Sequence, residues 1–575
     1  NNMKKILPYL KKQRIRMIIG LTIKVIGTLM DLAIPYILTF IIDDVIPTIP
    51  ENNYKPIILY GLLMIGCAII CFLLNVLANQ SASYVAKCVT ENLRNDLFMK
   101  VESLDSSQID EITMPSLISR LSNDTYNVHQ MVGMIQRLGV RAPILLIGGI
   151  IVTFTLDKVL TLVLLLTLPF IIFFTILISK LGIPLFKKVQ ESIDIMVKVI
   201  RENISGIRVI KALSKMDYEQ KRFQKINKQV MDYELSSGYT MAFLNPLINI
   251  FLNIGLVMVV VVGAIRIKDG TTEVGKVIAF TTYFTIISNA MLSITRIFII
   301  LSRSIASLVR IEYVLDLPSK LKQEDKEEKH NDSLIEFDDV SFSYNKKEMN
   351  LEHISFQIKA NETLGIIGST GSGKTTIINL LMRFYDVDKG AIYIKGKNVK
   401  AYKKEDLIEL FGTVFQNDTI FSNTIKENIT FGRNIKENEL NKAIKSSLSE
   451  NIIYKNKEGL DTLLTPKGTN LSGGQKQRLF IARALANNPE ILVLDDSSSA
   501  LDYKTDSQLR NNIKENYKTT MIIIAQRISS IKDCNQIIVL DEGKIESIGA
   551  HNDLLLKSTI YQEIYRSQMG GGINE

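Results

Sequence analysis

The chain has 575 residues and a formal net charge of +9, a length that implies two or more domains. Its four cysteines (Cys67, Cys71, Cys88 and Cys534) show no metal-ligand pairing, and nothing in them implies disulfides. Apolar segments crowd the first half and charge dominates the second, so the basic excess reads as membrane flanks and not as a nucleic-acid surface.

Residues 1–16 carry Lys4, Lys5, Lys11, Lys12, Arg14 and Arg16 and no acid, and an apolar run follows over 17–42. That run is too long for a signal peptide and lacks a small-residue cleavage site. It reads as a first membrane helix with a cytoplasmic N-terminus, followed by an external loop holding Asp43, Asp44 and Glu51. Five further spans are expected at 57–77, 140–156, 159–183, 242–265 and 277–301, each near the ~20 residues that cross a bilayer. The third and fourth are separated by Asp157-Lys158, the fifth and sixth by the short loop 266–276. The long segments 80–136 and 185–239 keep helical apolar spacing, each with a polar break, at 103–114 and 203–215. Short loops outside and long helical extensions inside return the chain, after six spans, to the side where it began.

Some spans carry polar residues. Lys24 and Asp31, seven apart, share a helix face, as do Asn245, Asn249 and Asn253, and again Thr285, Asn289, Ser293 and Arg296. Ionisable groups inside a span are costly, and Asp31 and Arg296 read as facing a water-filled path. The asparagine stripe fits either a cavity or interhelical hydrogen bonds. Cys67 and Cys71, one turn apart, read as packing residues. Residues 319–333 are charged and nearly without large apolar positions, as a solvated linker would be.

The second half holds ordered motifs. Residues 335–344 alternate like a strand pair at a sheet edge and end at Tyr344. The apolar stretch 364–367 is followed by Gly368-Ser369-Thr370-Gly371-Ser372-Gly373-Lys374-Thr375, then by a helical pattern from Thr376 to Phe384. This is the strand-loop-helix context a phosphate-binding loop requires. Gln416 follows Gly412-Thr413-Val414-Phe415. Leu471-Ser472-Gly473-Gly474-Gln475 precedes a helical pattern over 476–486, a hydroxyl and glycine amides at a helix start suited to an anion. The run Ile491-Leu492-Val493-Leu494 ends in Asp495-Asp496, a buried parallel strand with acids at its carboxyl end, and Ser499-Ala500-Leu501-Asp502 follows.

These motifs, in this order from about residue 335 onward, resemble the nucleotide-binding domain of ATP-binding cassette (ABC) proteins. The first half resembles the six-helix transmembrane domain of ABC exporters, its polar breaks resembling the coupling helices that dock on nucleotide-binding domains. The resemblance implies an α-helical six-span transmembrane domain with long cytoplasmic extensions (1–318) and a linker (319–333). An α/β phosphate-loop ABC domain (334–575) would follow.

The resemblance also assigns roles. Tyr344 would stack on adenine. Residues Gly368, Ser369, Thr370, Gly371, Ser372, Gly373 and Thr376 would cradle the phosphates of ATP, and Lys374 would bridge the terminal ones. Thr375, Gln416 and Asp495 would hold Mg²⁺, with Gln416 also sensing the membrane domain. Ser472, Gly473, Gly474 and Gln475, with Asp502, would serve nucleotide across a dimer. Asp496 and Gln526 would be catalytic, together with Gln416. Both depart from the family, which has Glu and His there. Thr465-Pro466-Lys467-Gly468 is a lesser departure from a common Gly-Glu pair. An impaired site beside an intact signature implies an ATP-driven exporter of amphipathic small molecules built as a heterodimer. Its second, different half-transporter would cleave ATP fast. The pair would sit in the lipid bilayer of a bacterial plasma membrane with its ATP sites cytoplasmic, and no nucleic-acid partner is expected. The rival readings are a slow homodimer, a lipid or peptide exporter, and a nucleotide-gated channel or sensor.

Overall fold

The computed structural model describes residues 6–48, 50, 53–319, 321–326, 328–329, 332–455 and 457–569, so Lys4 and Lys5 lie outside it. The chain divides into two units, residues 1–102 with 115–317, and residues 103–114 with 318–575.

The first unit is helical. Its main helices are α1 (Arg14–Phe40) and α2 (Lys55–Glu102), then, after the short α3 (Ser106–Ile112) that belongs to the second unit, α4 (Thr125–Leu156), α5 (Lys158–Ser205), α6 (Met216–Ala242), α7 (Leu244–Lys268) and α8 (Val274–Asp316). Five segments are long and apolar enough to cross a membrane: Arg14–Thr48, Lys55–Glu102, Met114–Leu156, Asn249–Lys268 and Val274–Asp316. In α5 the described apolar stretch, Lys158–Phe170, is shorter than a span, so the described residues give five where the sequence suggests six. Exposed apolar side chains such as Leu62 and Phe72 on α2 suit a lipid solvent. Asp157 ends α4 and caps α5, accepting from the N–H groups of Val159 (2.8 Å) and Leu160 (3.1 Å). Arg266 of α7 pairs with the same carboxylate at 3.3 Å, joining two of the short loops.

Lys24 and Asp31 of α1 find protein partners. Lys24 Nζ donates to Asn75 (2.8 Å) and Asn79 (3.1 Å) of α2. Asp31 pairs with Arg141 of α4 at 2.9 Å and accepts from the Cys71 thiol at 2.8 Å. Asp31, expected from sequence to face a water-filled path, thus has a charged protein partner as well. An oppositely charged side chain within reach satisfies it where water is scarce. Cys71 likewise has a polar contact as well as packing. Arg296 is exposed, Asn253 bonds its own helix at Asn249, and the side chain of Asn245 lies outside the described residues.

The second unit holds two sheets. One is antiparallel, in the order β2-β1-β4-β5, from β1 (Ile335–Phe342), β2 (Leu351–Ile358), β4 (Lys389–Ile394) and β5 (Lys397–Asn398). Strand β1 is paired on both sides, which corrects the reading of 335–344 as an edge pair. The strand carries a bulge at Asp338-Asp339, with Asp339 at φ +49. The other sheet runs β10-β9-β3-β8-β7-β6, from β3 (Thr363–Gly368), β6 (Phe411–Val414), β7 (Ile491–Asp495), β8 (Thr520–Ile524), β9 (Gln536–Asp541) and β10 (Lys544–Gly549). All but β10 pair in parallel, and β7 and β8 are buried along their whole length, as apolar β-branched strands covered on both faces should be.

The short helix α3 is fastened to this unit. Gln108 donates to the Pro318 carbonyl (2.8 Å), Asp105 accepts from Leu321 N–H (3.2 Å), and the Tyr385 hydroxyl donates to Asp110 (2.5 Å). The charged stretch after Pro318 is also bonded, Glu324 N–H to Lys400 (2.8 Å) and Lys329 N–H to Gly396 (2.7 Å).

Candidate functional site

In parallel sheets, ligands gather beyond the carboxyl ends of the strands. Four neighbouring strands, β3-β8-β7-β6, deliver there in turn the phosphate loop, Gln526, the pair Asp495-Asp496, and Gln416. Motifs separated by more than a hundred residues thus meet along one sheet edge.

The loop leaves β3 at Gly368, where a Cβ would stand 2.1 Å from the Leu540 carbonyl oxygen. It enters helix α9 (Lys374–Leu381) through Gly373, whose φ of +98 strains any other residue. Helix α9 begins earlier than the pattern from Thr376 suggests, so its first-turn N–H groups face the loop, as anion binding needs. Lys374 Nζ donates to the carbonyls of Gly368 (3.0 Å) and Ser369 (2.7 Å). Burial pulls its amine below the usual lysine range, against the opposing pull of Asp495 and Asp496.

Across the loop, Thr375 Oγ1 donates to Asp495 Oδ2 at 3.0 Å. Asp495 is the buried last residue of β7, and burial lifts its carboxyl above the usual range, with the Thr375 bond opposing. Asp496 turns the chain at φ +50, a conformation aspartate tolerates. Its carboxyl is raised by burial too, with Arg527 and Lys374 opposing. Gln526 Nε2 donates to Asp496 Oδ2 at 3.2 Å, so the two departures from the family pattern touch each other. A cavity of about 290 Å³ is lined by Thr370 to Thr376 of the loop apart from Ser372, by Gln416, Asp495, Asp496 and Gln526, and by Asn350. Its donors are hard oxygens, Thr375 and Asp495 with the Gln416 amide. Among the described residues no cluster of three or more acids, histidines or cysteines could hold a metal alone. One carboxylate with a hydroxyl fits Mg²⁺, which takes its remaining ligands from phosphate and water.

Residues 17–291 match the family model "ABC transporter transmembrane region", and residues 351–499 match "ABC transporter". The ABC transporter ATP-binding protein YfiB of Bacillus subtilis is 35% identical over 570 residues, with 99% of each chain covered. The chain belongs to the ABC transporter family. An ABC transporter ATP-binding protein of Mycobacterium tuberculosis is 31% identical, with 95% of this chain and 94% of that protein covered. A protein of Rickettsia typhi, named as a candidate export ATP-binding/permease protein, is 32% identical, with 87% and 89% covered. A bacterial Atm1-family ABC exporter with ATP bound has the same fold, with a TM-score of 0.82 at 22% identity and 98% and 99% of the two chains covered. As an ABC transporter this chain joins a helical membrane part to a domain that binds and hydrolyses ATP for transport across a membrane.

Other expected ABC residues lie apart from the cavity. Ser472 caps helix α10 (Gly473–Leu485) in a reciprocal pair with Gln475, so the helix begins inside the signature and not after it at 476. Neither 472–475 nor Asp502 lines the cavity. Asp502 caps α11 (Tyr503–Asn516), accepting from Thr505 N–H at 2.9 Å. Tyr344 stands beside α9, its hydroxyl accepting from Asn379 at 3.1 Å and its ring edge-on to Tyr385 at 5.0 Å. Two residues escape a motif reading. Asn350 lines the cavity and accepts from Tyr344 N–H at 3.0 Å. Gln477 of α10 ties the signature helix to the stretch after Asp496, donating to Ser499 (3.2 Å) and accepting from Ala500 N–H (3.2 Å).

Proposed function

We propose that this ABC transporter is the slow-cleaving half of an exporter made of two different chains. The contact between Gln526 and Asp496 carries the reading. A carboxylate at this place serves a fast ATPase by accepting a proton from the attacking water. Here the side chain is one methylene shorter than glutamate, and one of its oxygens already accepts from Gln526. A retreat of about 1 Å can lower a rate on the order of 10²-fold. Gln526 can donate to the γ-phosphate but cannot carry an imidazolium charge.

Binding of ATP is a separate matter from cleavage. Tyr344 would stack on adenine, the loop amides would take phosphate oxygens, and Lys374 would turn from its carbonyls to the terminal phosphates. Thr375, Asp495 and Gln416 would hold Mg²⁺, which supplies charge neutralisation at the β- and γ-phosphates when bound. The signature stands away from this chain's own cavity, which supports its delivery to the site of a second chain. The second polar break contains the short helix Ile207–Ala212, and Val209 and Leu213 are exposed there, as suits docking on a second chain. ATP at both sites would favour the closed pair, and cleavage at the second chain's site would reset it.

The span absent from the five, the fourth in chain order, would lie in α5, whose sequence carries a single charge, Lys180, over 159–183. The basic N-terminal flank supports a cytoplasmic ATP-binding domain in a plasma membrane. Export is supported by the name of the Rickettsia relative, and apolar spans suit amphipathic small molecules. The test is to purify this chain alone, and with a half-transporter carrying Glu and His at the matching places. ATP hydrolysis stimulated by transport substrate is expected of the mixed pair. Full-rate, substrate-stimulated hydrolysis by the single species would favour a homodimer instead.

A further inference from the structure

Helix α12 (Thr559–Met569) reaches the catalytic edge from outside every motif. Gln568 Nε2 donates to the Gln526 carbonyl at 2.6 Å, and Gln568 Oε1 accepts from Ile528 N–H at 2.9 Å. One carboxamide thus grips the backbone on both sides of Arg527, directly after β8. Gln568 also lines a cavity of about 470 Å³ together with Asp496, Gln526 and Arg527. Its own base is fixed. Tyr561 is fully buried with its hydroxyl 2.7 Å from His551 Nδ1, and Ile560, Ile564 and Tyr565 pack against the core. A carboxamide is a neutral side chain that can donate at one end and accept at the other. The match to a carbonyl and an N–H two residues apart is therefore specific in chemistry as well as in place.

We propose that Gln568 is a positioning residue for the ATP site, holding the 526–528 backbone so that the Gln526 side chain stays aimed at Asp496 and the terminal phosphate. This rests on the reading above that Gln526 faces that phosphate. The C-terminal helix then sets how long ATP is retained at the Lys374-led site.

The experiment uses the assembled pair with the second chain's phosphate-loop lysine replaced, so that retained radiolabelled ATP belongs to this chain's site. Gln568→Leu removes both bonds, while Gln568→Glu keeps the size and the acceptor but cannot donate. Both are expected to speed ATP release about five- to tenfold, and so is Gln526→Ala. Gln568→Leu combined with Gln526→Ala should be no faster than either alone, because a single contact is being lost. Release within twofold of the parent for both Gln568 variants, or effects that multiply in the double variant, overturns the proposal while the site reading stands. An unchanged rate in Gln526→Ala alone shows instead that the site reading is wrong, and the role of Gln568 falls with it.

Discussion

Asp496 and Gln526 follow the carboxyl ends of adjacent strands, and each limits what the other can do. The amide of Gln526 can only be neutral, and the carboxylate it meets is held back by a short side chain in a left-handed turn. Restoring reach and charge together should therefore do more than either change alone. Asp496→Glu with Gln526→His is expected to raise ATP cleavage at the Lys374-led site by about 10²-fold, read as single-turnover phosphate release. No gain over the parent would mean that these two positions do not limit the rate. The loop, signature and acids are legible from sequence because phosphate chemistry dictates residue types at fixed spacing. Gln477 and Gln568 are not. Their partners are the stretch after Asp496 and the backbone after β8, and only the fold brings them near. Asp31 shows the same gap, since its partner Arg141 lies 110 residues away on another helix.

Helix α3 resembles a coupling helix, which predicts that it carries a signal to the ATP-binding domain. It is gripped through Gln108, Asp105 and Asp110, and the last of these meets Tyr385, whose ring lies edge-on to Tyr344. Burial and the Asp110 carboxylate both push the Tyr385 hydroxyl up, so it stays a donor throughout the physiological range. Tyr385→Phe keeps the ring and loses the donor. It should leave basal ATP hydrolysis within twofold and reduce its stimulation by transport substrate several-fold, as measured in proteoliposomes. Unreduced stimulation would remove Tyr385 from the coupling route. The polar break at 103–114 is visible in sequence because apolar helical spacing stops there. Its attachment to Pro318, Leu321 and Tyr385 is not visible, because those bonds join segments some two hundred or more residues apart. Local pattern also misplaces the start of α9. The phosphate loop's last residues are already helical because Gly371 and Gly373, both at positive φ, make the turn before Lys374.

At the scale of the molecule, an apolar helical half and a charged α/β half are evident from composition, since each must suit a different solvent. The number of spans is harder to read, because α2, α5 and α8 run far beyond bilayer length and the helix itself does not mark where lipid ends. The asymmetry is the claim on which the rest depends: this chain binds ATP firmly and lends its signature, and the second chain cleaves. Replacing one phosphate-loop lysine at a time in the assembled pair tests it directly. Lys374→Ala should leave substrate-stimulated ATP turnover within about fivefold of the parent, whereas the same change in the second chain should abolish it. Equal loss of turnover from either replacement would contradict the account.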